Sequence, residues 1–177
     1  VAVFFLYWFV FNKNQSQQNS FVLVSSYIFY GWWNWKFLLL IIASTLIDFF
    51  TARNIQKAIN LRDKKLLLSV SLIANIGFLL YFKYFNFFIE SFSSAFTFFG
   101  YSLNVSQLDI ILPVGISFYT FQTLSYSIDV YNERIKPTNN FIEFSAFVSF
   151  FPQLVAGPIE RASNLIPQFQ NKRVFNY

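Results

Sequence analysis

Long apolar runs alternate with short polar stretches along the chain, a pattern typical of several membrane-spanning helices. A helix of about 20 apolar residues, rising 1.5 Å per residue, crosses the hydrocarbon core of a bilayer. The polar residues between the runs predict loops, and 12–20 is the first of them. The predicted apolar segments after that loop are 21–30, 37–52, 66–82, 108–131 and 141–156.

The first two segments are separated by three tryptophans and a lysine within positions 32–36. One straight helix over 21–52 would be about 48 Å long, well over the hydrocarbon thickness. The pattern therefore predicts two short spans joined at Gly31. The tryptophans beside Lys36 are typical of an aromatic belt at a membrane surface.

Two aromatic segments depart from a plain spanning helix. After Lys83, which we expect to end its span, residues 84–99 carry aromatic side chains at helical spacing and predict a helix in the interface. Segment 141–156 contains Pro152 and is followed by Gly157 and Pro158. Because proline breaks a helix and broken backbone in a membrane needs protein or water around it, the segment predicts a short or re-entrant helix.

The distribution of basic residues predicts which side of the membrane each loop faces. Loop 53–65 carries five basic residues against one acid, so the positive-inside rule places it in the cytoplasm. Alternation of the spans then puts 11 of the 13 basic residues inside and leaves only Lys36 and Lys83 outside. The same distribution accounts for the basic isoelectric point without a nucleic-acid partner.

Composition supports this interpretation and excludes other classes. Hydrophobic residues make up 55% and charged residues 12% of the 177 positions, and the chain has no Cys, Met or His. A disordered chain, a disulfide scaffold, a zinc–thiolate site and a nucleic-acid module are therefore excluded. The eight acids are scattered, so the sequence predicts no metal site. We predict an all-α, polytopic integral membrane protein: a multi-helix bundle with a re-entrant segment near residue 156.

Polar residues at membrane depth are the candidates for function. Asp48 and Asp129 lie near the cytoplasmic ends of their spans, where we expect anchoring or ion pairing with Arg53 and Arg134. Segment 112–131 is unusually polar, and its side chains either line a cavity or bond between helices. Glu160 and Arg161 after the Gly-Pro break are either a contact for an anionic head group or a solvated pair.

Four segments resemble the membrane-bound O-acyltransferases, and most closely the bacterial branch that O-acetylates alginate and similar exopolysaccharides. The two long matches, in sequence order, are LPVGISFYTFQTLSYSIDVY at 112–131 and FFPQLVAGPIER at 150–161. SYIFYGWW at 26–33 and YFKYFNFF at 81–88 agree with the same branch. The resemblance covers nearly the whole chain and implies the N-terminal part of a single membrane-embedded domain, truncated at both ends.

The resemblance also implies a multi-pass enzyme of the bacterial inner membrane with a tunnel between its two faces. The acyl donor, acetyl-CoA or an acyl carrier, is expected on the cytoplasmic side, and no bound cofactor is expected. The acceptor polysaccharide or a partner transferase is expected outside. The catalytic His of the family is expected downstream of Tyr177, so we predict that the 177 residues alone do not transfer acyl groups.

The resemblance assigns residues of this chain to the surroundings of the tunnel and assigns no catalytic residue. Gln153 and Arg161 are the predicted polar contacts to the donor, and Gln122 and Ser125 are predicted to face the cavity. Pro152, Gly157 and Pro158 are predicted to shape the helix break. Without the resemblance, the polar span and the broken helix are also compatible with a transporter or channel subunit, and a noncatalytic scaffold is the third alternative.

Overall fold

The computed structural model describes residues 1–11, 14–98, 111–158, 160–171 and 173, and within them every regular element is helical. The predicted all-α class is confirmed. π-helical turns at Leu6–Val10 and Leu80–Tyr84 continue the first and third helices. The helices are α1 (Ala2–Phe5), α2 (Gln15–Lys57), α3 (Leu61–Leu79), α4 (Phe85–Phe98), α5 (Ile116–Tyr131), α6 (Phe141–Val148), α7 (Phe151–Ala156) and α8 (Ala162–Gln170).

Helix α2 is bent at Asn34, not at Gly31 as predicted. The backbone of Asn34 is extended (φ −161°, ψ 112°), and its side-chain Oδ1 accepts a hydrogen bond from the Lys36 N–H at 2.9 Å. Asn34 therefore caps the second half of the helix, a role for which its short polar side chain is suited. Gly31 stays helical. The expected break between two spans is present, three residues later in the chain.

Helix α2 also begins earlier than the polar pattern predicted. Asn14 caps it by accepting from the Gln17 N–H at 2.8 Å, so the part of the predicted loop from Gln15 onward is helical. The polar side chains of Gln18 and Asn19 are buried, and Asn19 Nδ2 donates to the Phe169 carbonyl at 2.8 Å. Gln15 and Asn19 both bond to the Phe169 carbonyl of α8, a contact that hydropathy alone does not show.

Lys83 does not end the third span. Residues 61–98 form one helical run, and its last part, α4, buries no side chain against the rest of the described chain. The lysine is accommodated because its Nζ donates to Ser117 Oγ on α5 at 3.0 Å. The predicted interface helix is thus the continuation of α3. The loop expected after it, at residues 99–107, lies outside the described part of the chain.

The break in segment 141–156 lies at Ser149 and Phe150, before Pro152. Pro152 occupies the first turn of α7, where a missing N–H costs nothing, so it begins a helix and does not break one. Gly157, in extended conformation, ends α7. Of the three residues predicted to shape the break, Gly157 and Pro158 follow α7, and Pro152 lies inside its first turn.

Helix α2 is the element around which the others pack, since it contacts α3, α5, α6, α7 and α8. Between these helices lies an aromatic core in which the Tyr126 and Phe144 rings are 4.6 Å apart. Two of the described helices, Gln15–Lys57 and Leu61–Phe98, are long and apolar enough to cross a membrane. These two helices fit a membrane protein.

Gly115 is the N-cap of α5, and a substitution there tests the packing of this helix end. Gly115 has φ +74°, and a Cβ there would lie 2.7 Å from the Tyr30 hydroxyl and 3.1 Å from the Leu154 carbonyl. We expect Gly115→Ala to lower the free energy of unfolding by about 1–3 kcal/mol, since strain and a close contact act together. Thermal unfolding of the full-length protein in detergent measures this. The control is Gly77→Ala, where a Cβ meets nothing within 4 Å; equal effects of both variants would contradict the expectation.

Candidate functional site

A buried polar cluster joins α2, α3 and α5. Each helix contributes two polar residues spaced four apart, so that both lie on the same helix face. All six side chains are fully buried, at 0% exposure. We call them the Asp48 cluster, and its members are Ser44 and Asp48 on α2, Ser71 and Asn75 on α3, and Thr123 and Ser127 on α5.

Asp48 is the acceptor at the centre of the cluster. Its Oδ1 accepts from Ser71 Oγ, from Ser127 Oγ at 3.2 Å and from Asn75 Nδ2 at 3.1 Å. Its Oδ2 accepts from the same Asn75 amide at 2.8 Å. The carboxyl group therefore ties α2 to both neighbouring helices.

Asn75 connects the carboxyl group to the remaining hydroxyls. While its Nδ2 donates to Asp48, its Oδ1 accepts from Ser44 Oγ at 2.6 Å and from Thr123 Oγ1 at 3.4 Å. The amide thus uses its donor on one side and its acceptor on the other. Every member of the cluster has a partner, and a buried network that is fully satisfied in this way specifies one arrangement of its helices.

Asp48 does not pair with Arg53, contrary to expectation. Within the described residues, no lysine or arginine nitrogen lies within 4.0 Å of its carboxylate. The Arg53 guanidinium instead lies 5.3 Å from the centre of the Phe49 ring. Helical geometry explains the difference, because residues five apart on one helix face different directions.

The other predicted acid–base pair is present. Arg134 Nη1 lies 3.4 Å from Asp129 Oδ1, within the range of an ion pair. A second pair, between Lys64 Nζ and Glu133 Oε1 at 2.7 Å, joins the start of α3 to the loop after α5. The hydrogen bond and charge of Lys64 lower the pKa of the Glu133 carboxyl group.

The Lys64–Glu133 pair gives a pH-dependent prediction. Because the pKa of Glu133 is lower in the folded state, the pair stabilises the fold at neutral pH, and this contribution is lost as pH falls through the lowered pKa. We therefore expect the difference in unfolding temperature between wild type and Glu133→Gln to be small at pH 7 and to shrink towards zero as acidification protonates the Glu133 carboxyl group. A difference that grows on acidification would contradict this.

Gln122 and Ser125 both bond within the protein. Gln122 is 2% exposed, and its Nε2 donates to the Phe147 carbonyl on α6 at 3.1 Å. Ser125 Oγ donates back to the Gln122 carbonyl of its own helix at 2.9 Å. Gln122 therefore fixes α5 against α6, and the half-buried Ser125 is occupied by its own backbone.

Gln153 closes the turn that ends α7. Its Nε2 donates to the Pro158 carbonyl at 2.9 Å, and its side chain is 8% exposed. Gly157 allows this closure, because a Cβ there would lie 2.8 Å from Gln153 Cα and 2.9 Å from Gln153 Cγ. The structure thus joins three of the predicted residues, Gln153, Gly157 and Pro158, in one compact turn, which we call the α7 turn.

Arg161 stands apart from that turn. It is exposed and occupies the N-cap of α8 with extended backbone, where its side chain makes no cap hydrogen bond. The structure brings Gln122 to α6 and Gln153 to Pro158, and it does not join Arg161 to either. Within the described ranges there is no group of three or more Asp, Glu, His or Cys side chains that would hold a metal ion.

Sequence reasoning missed most of the Asp48 cluster. The sequence pattern predicts Asp48 as an anchor or ion-pair partner and does not single out Ser71 and Asn75 on α3. A signal was present, because each of three apolar helices carries two polar residues four apart. The pairing of the three helices, which turns these three patterns into one cluster, is not encoded in any single segment.

Comparison with known proteins finds relatives over nearly the whole chain. Over 90% of its own length, the chain is 40% identical to the probable alginate O-acetylase AlgI of Pseudomonas aeruginosa. It is 38% identical to the probable alginate O-acetylase AlgI of Azotobacter vinelandii over 88%. It is 34% identical to the peptidoglycan O-acetyltransferase of Helicobacter pylori over 97%.

The chain spans about a third of the length of these curated relatives, 31% of the Pseudomonas aeruginosa protein and 37% of the Helicobacter pylori protein. No family model matches the chain, and no solved structure matches it. The relatives confirm the predicted resemblance to the branch that acetylates alginate and similar exopolysaccharides.

Proposed function

We propose that this chain, a relative of bacterial alginate and peptidoglycan O-acetyltransferases, is part of a membrane O-acyltransferase that modifies an exported polysaccharide. The observation that carries the proposal is 34–40% identity to such proteins over about nine-tenths of the chain. The reaction is the transfer of an acetyl group from a thioester donor to a sugar hydroxyl. The ester C–O bond forms, the thioester C–S bond breaks, and the hydroxyl proton leaves with the thiol.

The relatives named above are acetylases and an acetyltransferase, and nothing in the described structure favours a transporter or channel subunit. The Asp48 cluster, in which every polar group has a protein partner, supports a structural role for these helices and not an ion pathway. The predicted catalytic His belongs, in this proposal, to a part of the enzyme outside the 177 residues.

The proposed topology is multi-pass in the bacterial inner membrane, with residues 53–65, where α2 ends and α3 begins, in the cytoplasm and the tryptophans near Asn34 outside. The asymmetry of the basic residues supports it. A Cys-free full-length protein with one Cys at Asn60 or at Trp33 tests it, since both positions are exposed. We expect a membrane-impermeant maleimide to label only the Trp33 site in intact cells. Labelling of Asn60 alone would reverse the proposed orientation.

The proposed route of the acyl group passes the break between α6 and α7. The donor, acetyl-CoA or an acyl carrier, is met on the cytoplasmic side, where the α7 turn and Arg161 are proposed to contact or position it. Gln122 and Ser125 are proposed to lie along the route on α5. Their hydrogen bonds to Phe147 and to α5 itself favour a positioning role. In this proposal α6 and α7 form a re-entrant pair, which their short lengths and the intervening break support.

Deletion of the gene in the source bacterium tests the proposed function. We expect alkali-labile acetyl esters to fall to background on one polysaccharide, measured by proton NMR of purified exopolysaccharide and of purified peptidoglycan. Complementation with the intact gene should restore them. The polysaccharide that loses its esters identifies the acceptor. Unchanged esters on both polysaccharides would contradict the proposal.

A further inference from the structure

A cavity of about 360 Å³ lies where the N-terminal helix, the start of α7 and α8 meet. Its wall is largely apolar and aromatic. Among the described residues that line it, Arg173 has the charged side chain and none is Asp or Glu. The residues that define the wall for this argument are Phe4, Tyr7, Val22, Phe150, Leu165 and Arg173.

Arg173 is held at the cavity by aromatic rings and one amide. Its guanidinium carbon lies 5.4 Å from the centre of the Tyr7 ring and 5.4 Å from the centre of the Phe169 ring. One of its terminal nitrogens donates to Asn19 Oδ1. Asn19 is itself fixed by its bond to the Phe169 carbonyl, so the guanidinium has a defined orientation.

The guanidinium keeps unused donor capacity. Its Nε is buried and has no hydrogen-bond partner. Within the described part of the chain, no carboxylate oxygen lies within 4.0 Å of it. Burial lowers the pKa of Arg173, and its interaction with the Tyr7 hydroxyl acts in the opposite direction. A buried donor without a partner costs free energy, which an anion bound there would offset.

We propose that the Arg173 cavity binds an anionic phospholipid, with the phosphate on the Arg173 guanidinium and part of one hydrocarbon chain in the cavity. A basic side chain beside an apolar cleft between helices of a membrane protein is suited to a phospholipid head group and its chain. A free phosphate ion would satisfy the guanidinium and leave the apolar wall unused. This site is independent of acyl transfer.

Native mass spectrometry of the detergent-solubilised full-length protein tests the proposal. The probes are dioleoylphosphatidylglycerol, which is anionic, dioleoylphosphatidylcholine, which is zwitterionic, and inorganic phosphate. We expect phosphatidylglycerol to be retained preferentially, and Arg173→Ala to lower its affinity at least about tenfold, the effect of losing a charged hydrogen bond. The control is Arg62→Ala, an exposed arginine at the start of α3 that does not line the cavity.

A second variant separates the two halves of the site and does not depend on Arg173. Val22→Phe adds volume to the cavity wall without touching the guanidinium, and it should also weaken phosphatidylglycerol retention severalfold. Equal retention by wild type, Arg173→Ala and Val22→Phe would overturn the proposal. So would inorganic phosphate that displaces phosphatidylglycerol at equal concentration, because the hydrocarbon chain would then contribute nothing. Equal affinity for the two lipids would likewise overturn the role of the charge.

Discussion

Replacing Asp48 with alanine is expected to destabilise the protein more than any other single change at the described sites. The substitution removes the acceptor shared by Ser71, Asn75 and Ser127 at the junction of three helices. Ser71 Oγ and Asn75 Nδ2 each keep one weaker alternative, the Ser127 hydroxyl and the Ser71 carbonyl, whereas Ser127 loses its acceptor. Each buried donor that loses its partner costs about 1–3 kcal/mol. We therefore expect a loss of about 3 kcal/mol or more in the free energy of unfolding. Thermal unfolding of the full-length protein, followed by fluorescence-detected size exclusion, measures it.

Asp63→Ala is the matched control for this variant. Asp63 is exposed in the first turn of α3, and among the described residues it accepts a hydrogen bond from Asn60 Nδ2 at 3.4 Å, so its removal should change stability by less than about 0.5 kcal/mol. Asp48→Asn should fall between wild type and Asp48→Ala, because one oxygen acceptor remains. If Asp48→Ala and Asp63→Ala unfold at the same temperature, the Asp48 cluster does not hold the helices together.

The second large effect is expected on acyl transfer when the α7 turn is opened. Gln153→Ala removes the bond to the Pro158 carbonyl and releases the turn beside the proposed donor route. A displacement of about 1 Å in positioned groups is enough to lower a rate by as much as a hundredfold. We expect acetyl transfer by the full-length protein to fall at least about tenfold, with unchanged expression. Arg161→Ala should also lower transfer, through weaker binding of the donor.

The two variants should differ in kinetics. Gln153→Ala should lower kcat, since it acts through the geometry of the turn, and Gln153→Glu, which keeps the side chain's length but lacks the amide donor, should not restore it. Arg161→Ala should mainly raise the KM for the donor. The control is Gln56→Ala, an exposed glutamine on α2. Wild-type transfer by both Gln153→Ala and Arg161→Ala would remove these residues from the site.

The sequence was sufficient to predict the helical class, the existence of a bend in the first long span and the end of the broken segment at Gly157. Each of these follows from local composition: apolar length, an interrupting polar run and a helix-ending Gly-Pro pair. The bend lies at Asn34 and not at Gly31, because the Asn34 side chain caps the second half of the helix. Pro152 lies in the first turn of α7, where proline is tolerated, and its position relative to a helix start could not be read from composition.

The remaining features depend on contacts between distant segments. Gln15 and Asn19 are polar and predict a loop, because hydropathy does not register their contacts with α8. Asp48 appeared to be an anchor near Arg53, because the partners that satisfy it lie 23 to 79 positions away along the chain. Gln153 is predicted as a site residue from its polarity within the broken segment. Its bond to Pro158 required the three-dimensional turn.

Right-side-out membrane vesicles from the source bacterium provide the most direct test of the proposed function, because the full-length protein stays in its own membrane. The vesicles are loaded with isotopically labelled acetyl-CoA, and labelled acetyl esters are measured on the polysaccharide outside. We predict labelled ester with vesicles from the wild type and none above background with vesicles from the gene-deletion strain. Equal labelling by the two kinds of vesicle would show that this protein does not carry out the transfer.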